Sequence, residues 1–198
     1  MRVIGGRYGG RTLRSAEGLA VRPTSDRLRE TLFNILAPGI AGKQFLDLCA
    51  GSGAVGIEAV SRGASHTTFV ERSRRACSVI RRNIEALGIE DMITIVNRDA
   101  VGALRRLAAE SRVFDLVFVD PPYDAKVRSE MMDSLGLGLV LAQQAIVVVE
   151  HRAKTPPQSE FGRIRVYRSL KQGESALTFY EVAHVMPVPP SPLEGLGS

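Results

Sequence analysis

The stretch Phe45-Leu46-Asp47-Leu48-Cys49-Ala50-Gly51-Ser52-Gly53-Ala54-Val55-Gly56 constrains the fold more than any other part of the chain. An apolar strand runs into a glycine turn, and a helical stretch follows through Arg62. Gly51 and Gly53 permit a sharp turn and a close approach of backbone to a ligand. The helix then begins with free N–H groups pointing at that ligand. Gly51, Gly53 and Gly56 also spell G-x-G-x-x-G, and Glu71 stands 20 residues after Gly51, where such a fold places a ribose-binding acid. The loop therefore asks for a nucleoside-containing cofactor and leaves NAD and S-adenosylmethionine both open.

Around this unit, apolar runs alternate with helical periodicity. Strands are expected at 44–48, 67–71, 92–96, 114–119 and 145–150, separated by helices at 54–61, 74–87, 101–110 and 128–135. Apolar strands spaced by helices predict a parallel sheet covered on both faces. The last two strands, 163–169 and 175–184, are joined through Lys171-Gln172-Gly173-Glu174 without a helix, so an antiparallel hairpin should end the sheet. Ahead of the sheet, residues 1–14 read as a β-hairpin turning at Gly5-Gly6 and Gly9-Gly10. A first helix starts from Thr24 or Ser25, carries Leu28, Leu32, Ile35 and Leu36 on one face, and ends at Pro38-Gly39. Residues 151–162 read as a loop and the proline-rich 186–198 as a disordered tail. The expectation is an α/β doubly wound sheet of seven mostly parallel strands: a basic extension at 1–36, one domain at 37–185, and the tail.

Asp47, Glu71 and Asp99, and then a tetrapeptide beginning at Asp120, fall at the C-terminal ends of successive strands. Asp47 lies within the first strand end, where it can face the cationic amino group of a methionine moiety but would repel a pyrophosphate. Asp99 follows the third strand, placed to accept from an adenine amino group. Asp120-Pro121-Pro122-Tyr123 closes the apolar run from Phe114 to Val119. The Asp120 carboxylate and the Pro121 carbonyl can accept both hydrogens of an exocyclic amine on a base. Two prolines stiffen the segment and remove competing donors, and Tyr123 offers a flat face for stacking. These features favour S-adenosylmethionine over NAD, because an NAD-dependent oxidoreductase leaves Asp47 and the tetrapeptide without a role.

With these motifs the chain resembles the class I S-adenosylmethionine-dependent methyltransferases that act on exocyclic amines of bases. Arg2-Val3-Ile4-Gly5-Gly6, Gly10-Arg11, Arg22-Pro23-Thr24 and Asp26-Arg27-Leu28-Arg29-Glu30-Thr31-Leu32-Phe33-Asn34 sharpen the likeness to the bacterial small-subunit ribosomal RNA guanine-N2 methyltransferases. The resemblance extends over residues 1–184 and implies a Rossmann-like class I methyltransferase fold. It implies a cofactor site of Asp47, Cys49, Gly51, Gly53, Glu71, Arg72, Asp99 and Ala100, and a catalytic segment of Asp120, Pro121, Pro122 and Tyr123. It further implies RNA contacts from Arg7, Arg11, Arg22, Thr24, Arg27 and Arg29, with 16S ribosomal RNA in a small-subunit particle as the partner. Adenine-N6 methylation of DNA or RNA is the alternative, since the tetrapeptide recognises an amine and not a particular ring.

Charge agrees with a polyanionic partner. The chain carries a net +5, and residues 1–36 hold seven arginines against three acids, a net +4 outside the cofactor-binding core. Cys49 and Cys77 lack C-x-x-C spacing or a histidine cluster, so they read as small buried hydrophobes and no metal is expected. No apolar run approaches the ~20 residues of a membrane span, and the N-terminus lacks a signal-peptide core. A cytoplasmic monomer is the expectation. A catalytically silent RNA-binding module would be expected to lack Asp120 or the glycines, and both are present.

Overall fold

The computed structural model describes residues 1–15, 25–121 and 125–183. Five strands form its parallel half: β1 Gln44–Leu48, β2 His66–Val70, β3 Ile93–Val96, β4 Phe114–Val119 and β5 Leu141–Arg152. They are rich in Val, Ile, Phe and Thr, which suit a pleated surface buried on both sides. Three more strands, β6 Glu160–Phe161, β7 Ile164–Gln172 and β8 Ser175–Val182, are antiparallel to their neighbours. The spatial order is β3-β2-β1-β4-β5-β8-β7-β6. The doubly wound sheet expected from sequence is therefore present with eight strands instead of seven. The added strand, β6, lies in the segment read as a loop, and two residues alone carry no periodicity to reveal it.

Helices cover the two faces. Leu28, Leu32, Phe33 and Leu36 of α1 (Asp26–Leu36) and Val55 and Ala59 of α2 (Ala54–Ser61) pack on Phe45, Leu116, Phe118 and Val148. On the opposite face, α4 (Ala100–Ala109) and α5 (Ala125–Gly136) cover Leu46, Leu48, Val117, Val119, Val147 and Val149. The remaining helix, α3 (Arg74–Leu87), buries Ile80, Ile84 and Leu87 beside α2 and Phe69. Side-chain caps start three helices: Ser25 accepts from the Leu28 amide, Ser73 from that of Ala76, and Asp99 from that of Gly102. Among the described residues, no helix is long and apolar enough to cross a membrane.

The hairpin expected over residues 1–14 is present as a short antiparallel pairing. Only Arg2 and Thr12 pair as an isolated bridge, and a 3-10 turn over Gly6–Tyr8 closes the loop. The segment is clamped to the domain. Val3 and Leu13 are buried with α2 and α3, and the amides of Ile4 and Gly5 donate to the buried Glu58 carboxylate at 2.7 and 2.9 Å. Tyr8 donates its amide to Ser61 Oγ at 2.9 Å, and Asn83 Oδ1 accepts from the Arg14 amide at 2.8 Å. The amides of Val3 and Leu13 donate to the Arg11 and Met1 carbonyls at 2.9 Å, so a short antiparallel pairing acts with packing and these side-chain bonds to hold the segment.

Gly56 brings α2 close to β2. A Cβ there would overlap the Phe69 ring and come within 2.7 Å of Thr67 Cγ2. Alanine would gain up to about 1 kcal/mol of helix propensity, but overpacking costs about 1–3 kcal/mol. Gly56→Ala is thus expected to lower the melting temperature by roughly 2–8 °C. Calorimetry showing an unchanged or higher melting temperature would mean that α2 lifts off β2 without cost.

Candidate active site

The strand order reverses between β1 and β4, whose C-terminal ends open the crevice where doubly wound sheets take ligands. Cys49, Gly51 and Gly53 all adopt left-handed backbone, with φ of +65°, +55° and +80°, and so turn the chain from β1 into α2. Cys49 does this without being glycine, which costs strain. Its thiol is pushed up to about 12, first by burial and then by Glu71, Asp120 and Asp47, so it stays protonated and is no nucleophile.

Two acids brace the turn. Asp47 is buried beneath it, and its Oδ2 accepts from the Gly56 amide at 2.9 Å. Burial pushes the Asp47 carboxyl up to about 7; the Gly56 hydrogen bond opposes this and Glu71 adds to it. Glu71 accepts from the Gly51 amide at 2.9 Å and from the Ser73 amide at 2.8 Å, tying the glycine turn to the start of α3. A Cβ on Gly51 would meet nothing within 4 Å, so the turn leaves open space on that side. A Cβ on Gly53 would point instead at Ile80, 3.1 Å from its Cγ1. Gly53 thus keeps its left-handed turn where a side chain would crowd α3.

The other expected cofactor residues stand along the same edge. Asp99 is exposed after β3, with Oδ1 engaged by the Gly102 amide at 2.8 Å, and Ala100 is the buried first residue of α4. Asn97 Nδ2 donates to the Glu71 and Arg72 carbonyls at 2.8 and 3.1 Å, which fixes the backbone beside the exposed Arg72. These positions stand at the C-terminal ends of the adjacent strands β1, β2 and β3, along one edge of the sheet.

Across the crevice, Asp120 follows β4, and its amide donates to the Leu48 carbonyl at 3.4 Å. Burial raises the Asp120 carboxyl well above the usual carboxylate range, followed by the charges of Glu150 and Asp47. Pro121 is half-buried beside it, whereas Pro122 and Tyr123 lie outside the described residues. Glu150, near the end of β5, was missed as a site residue, although its place at the end of the run Ile146 to Val149 parallels that of Asp120.

The basic residues divide. Arg7, Arg11 and Arg27 are exposed, and the Arg7 guanidinium lies 5.5 Å from the Tyr8 ring centre. Arg22 and Thr24 lie outside the described residues. Arg29 is not a surface cation: it is fully buried, donates to the Arg2 carbonyl, and reaches Asp26 at 3.0 Å and Glu58 at 4.0 Å. Its spacing of three, four and seven residues to Leu32, Phe33 and Leu36 puts it on the apolar face of α1 and was the signal for this. Arg14, Arg75 and Arg82, with Ser15 and Ser78, line a groove of about 670 Å³ between the first segment and α3, which sequence reasoning also missed. His151 is buried and bonded to Thr178 Oγ1 at 2.8 Å, a structural role.

Known proteins are similar to this chain in sequence and fold. Residues 1–181 match the family model described as Conserved hypothetical protein 95. Ribosomal RNA small subunit methyltransferase D of Escherichia coli is 36% identical over 191 residues, spanning 88% of this chain and 93% of that protein. The solved structure of the Escherichia coli protein yhhF, described as a methyltransferase, superposes with a TM-score of 0.80 at 33% identity, covering 92% of this chain and 98% of that one. SMU.776, a methyltransferase solved with SAH, shares the fold at a TM-score of 0.64 and 18% identity, over 78% of this chain and 49% of its own. By the span of that family match and by these likenesses, the chain belongs to the Conserved hypothetical protein 95 family of class I methyltransferases.

Proposed function

We propose that this protein transfers a methyl group from S-adenosylmethionine to the N2 amine of a guanine in 16S ribosomal RNA within a small-subunit particle. The observation that carries the reading is the Asp120-Pro121 step at the end of β4, set across the switch point from the glycine turn. The naming of the Escherichia coli relative for small-subunit ribosomal RNA supports the RNA substrate. When bound, the cofactor supplies an electrophilic methyl group, so neither a covalent nucleophile nor a metal is needed from the chain.

The residues have separate tasks. Glu71 and Asp99 accept from the ribose and adenine ends of the cofactor, and Asp47 contributes negative charge under its methionine end. Asp120 and the Pro121 carbonyl accept the two amine hydrogens. This localises the lone pair of a nitrogen otherwise delocalised into the ring, an electrostatic preorganisation towards the transition state. Burial raises the Asp120 carboxyl, which lets it take up the proton that the amine sheds as it is methylated. A paired base could not reach this crevice, so the target must be unpaired or flipped out. Mapping the methyl group to an adenine would overturn the guanine reading.

RNA contact is assigned to Arg7, Arg11 and Arg27 and to the groove of Arg14, Arg75 and Arg82. Guanidinium groups bind phosphates bidentately and release counterions when they do so.

Three outcomes are expected. Glu71→Ala should weaken S-adenosylmethionine binding by roughly tenfold or more in calorimetric titration, since it removes an acceptor and loosens the Gly51 amide. An unchanged isotherm would dismiss the glycine turn as the cofactor site. Asp120→Ala should nearly abolish methyl transfer to under-methylated particles while cofactor affinity changes by no more than a few-fold, and wild-type turnover would rule out the amine-acceptor mechanism. Replacing Arg7 and Arg11 together by alanine should lower the slope of log affinity against log salt by about 1–2 in particle binding. An identical slope would mean that these arginines face only solvent.

A further inference from the structure

A second carboxylate stands beside Asp120 at the crevice. β4 and β5 are parallel, with Phe118 level with Val148 and Val119 level with Val149, so residue 120, just past the end of β4, comes level with Glu150, which β5 still carries in its pairing with β8. Alternation fixes the face on which they project. Leu116 and Phe118 on β4 and Val148 on β5 belong to the cluster under α1, whereas Val117, Val119, Val147 and Val149 belong to the opposite one. Asp120 and Glu150 continue the α1-side series. Asp47 shares that side, one strand over and level with Phe118. The Asp120 carboxyl responds to Glu150 as its largest influence after burial, as expected of close neighbours.

The two purines offer different edges to such a pair. Guanine directs three hydrogens outward, two from N2 and one from N1. Adenine directs two from N6 and presents a lone pair at N1. We propose that Glu150 selects guanine by accepting its N1–H, while Asp120 and the Pro121 carbonyl accept the amine. The inference rests on the proposed guanine-N2 reading and adds the residue that enforces it. Three acceptors then meet three hydrogens. An adenine in the same pose would set its N1 lone pair against a carboxylate, which buried sites reject strongly. Glu150 takes no part in the transfer itself.

2-Aminopurine tests this, because it keeps the N2 amine and replaces N1–H with a lone pair. Small-subunit particles are reconstituted on 16S RNA carrying guanine or 2-aminopurine at the mapped methylation position, and single-turnover rates are measured. Wild-type protein should methylate the analogue at least roughly 100-fold more slowly. Glu150→Gln can turn an amide N–H towards that lone pair, so its preference for guanine should fall within about tenfold, with its S-adenosylmethionine isotherm unchanged. The two bases differ in intrinsic reactivity, but that difference is common to both proteins and cancels in the comparison. Equal preference ratios in wild type and Glu150→Gln would overturn the proposal. So would a wild-type ratio near one, which needs no variant at all. A methyl group mapped to adenine would instead remove the guanine reading itself, a result visible on unmodified particles before any analogue is used.

Discussion

In parallel strands, residues that follow aligned partners emerge together at one edge of the sheet. β2, β1, β4 and β5 are locked in this way, with Val70, Leu48, Val119 and Val149 in lateral register. Glu71, Asp120 and Glu150 are each the next residue, and Asp47 precedes the end of β1 by one. The convergence of acids from positions far apart in the chain thus follows from strand pairing. A slip of one residue in β4 would turn Asp120 to the other face and bury it against α5. The bulge between Phe114 and Leu116 lies at the far end of β4, where an adjustment leaves the C-terminal edge in register.

The edge is also strained, and hydrogen bonds support the strain. Three left-handed residues within five would be costly in an isolated peptide. Here Asp47, Glu71 and Asn83 reach the turn from β1, from the end of β2 and from α3, the last by donating to the Ser52 carbonyl at 3.2 Å. The glycine turn therefore keeps its shape through contacts from three elements.

Much of this could be read along the chain. The bounds of β1, β4, α2 and α3 coincide with the apolar and helical periodicities, because each is a strong pattern bounded by Gly, Pro or a capping residue. The glycine turn and the acids at strand ends were legible because their spacing is local. What depends on packing between distant segments was not. Arg29 and Glu58 are charged residues on buried helix faces, and only the fold shows that they face each other and the first segment. Glu150 lies inside β5, and only the placement of β5 beside β4 brings it level with residue 120. The eighth strand is too short to leave a pattern.

The clamp on the first fifteen residues bears on how the protein can be dissected. Glu58 has no exposure and is held by the Ile4 and Gly5 amides, by Arg62 Nε at 2.8 Å and by the more distant Arg29. Trimming the chain back to α1 would remove two of its donors and leave a charge in the interior with fewer partners, a loss on the order of several kcal/mol. A shortened protein would then report on whether the domain folds, and its failure to recognise a particle would carry no information about recognition. The same holds for any fusion at Met1 that pulls its carbonyl from the Leu13 amide. In this fold the leading segment is part of the interior's wiring, and only single side chains at its exposed tip can be changed independently of it.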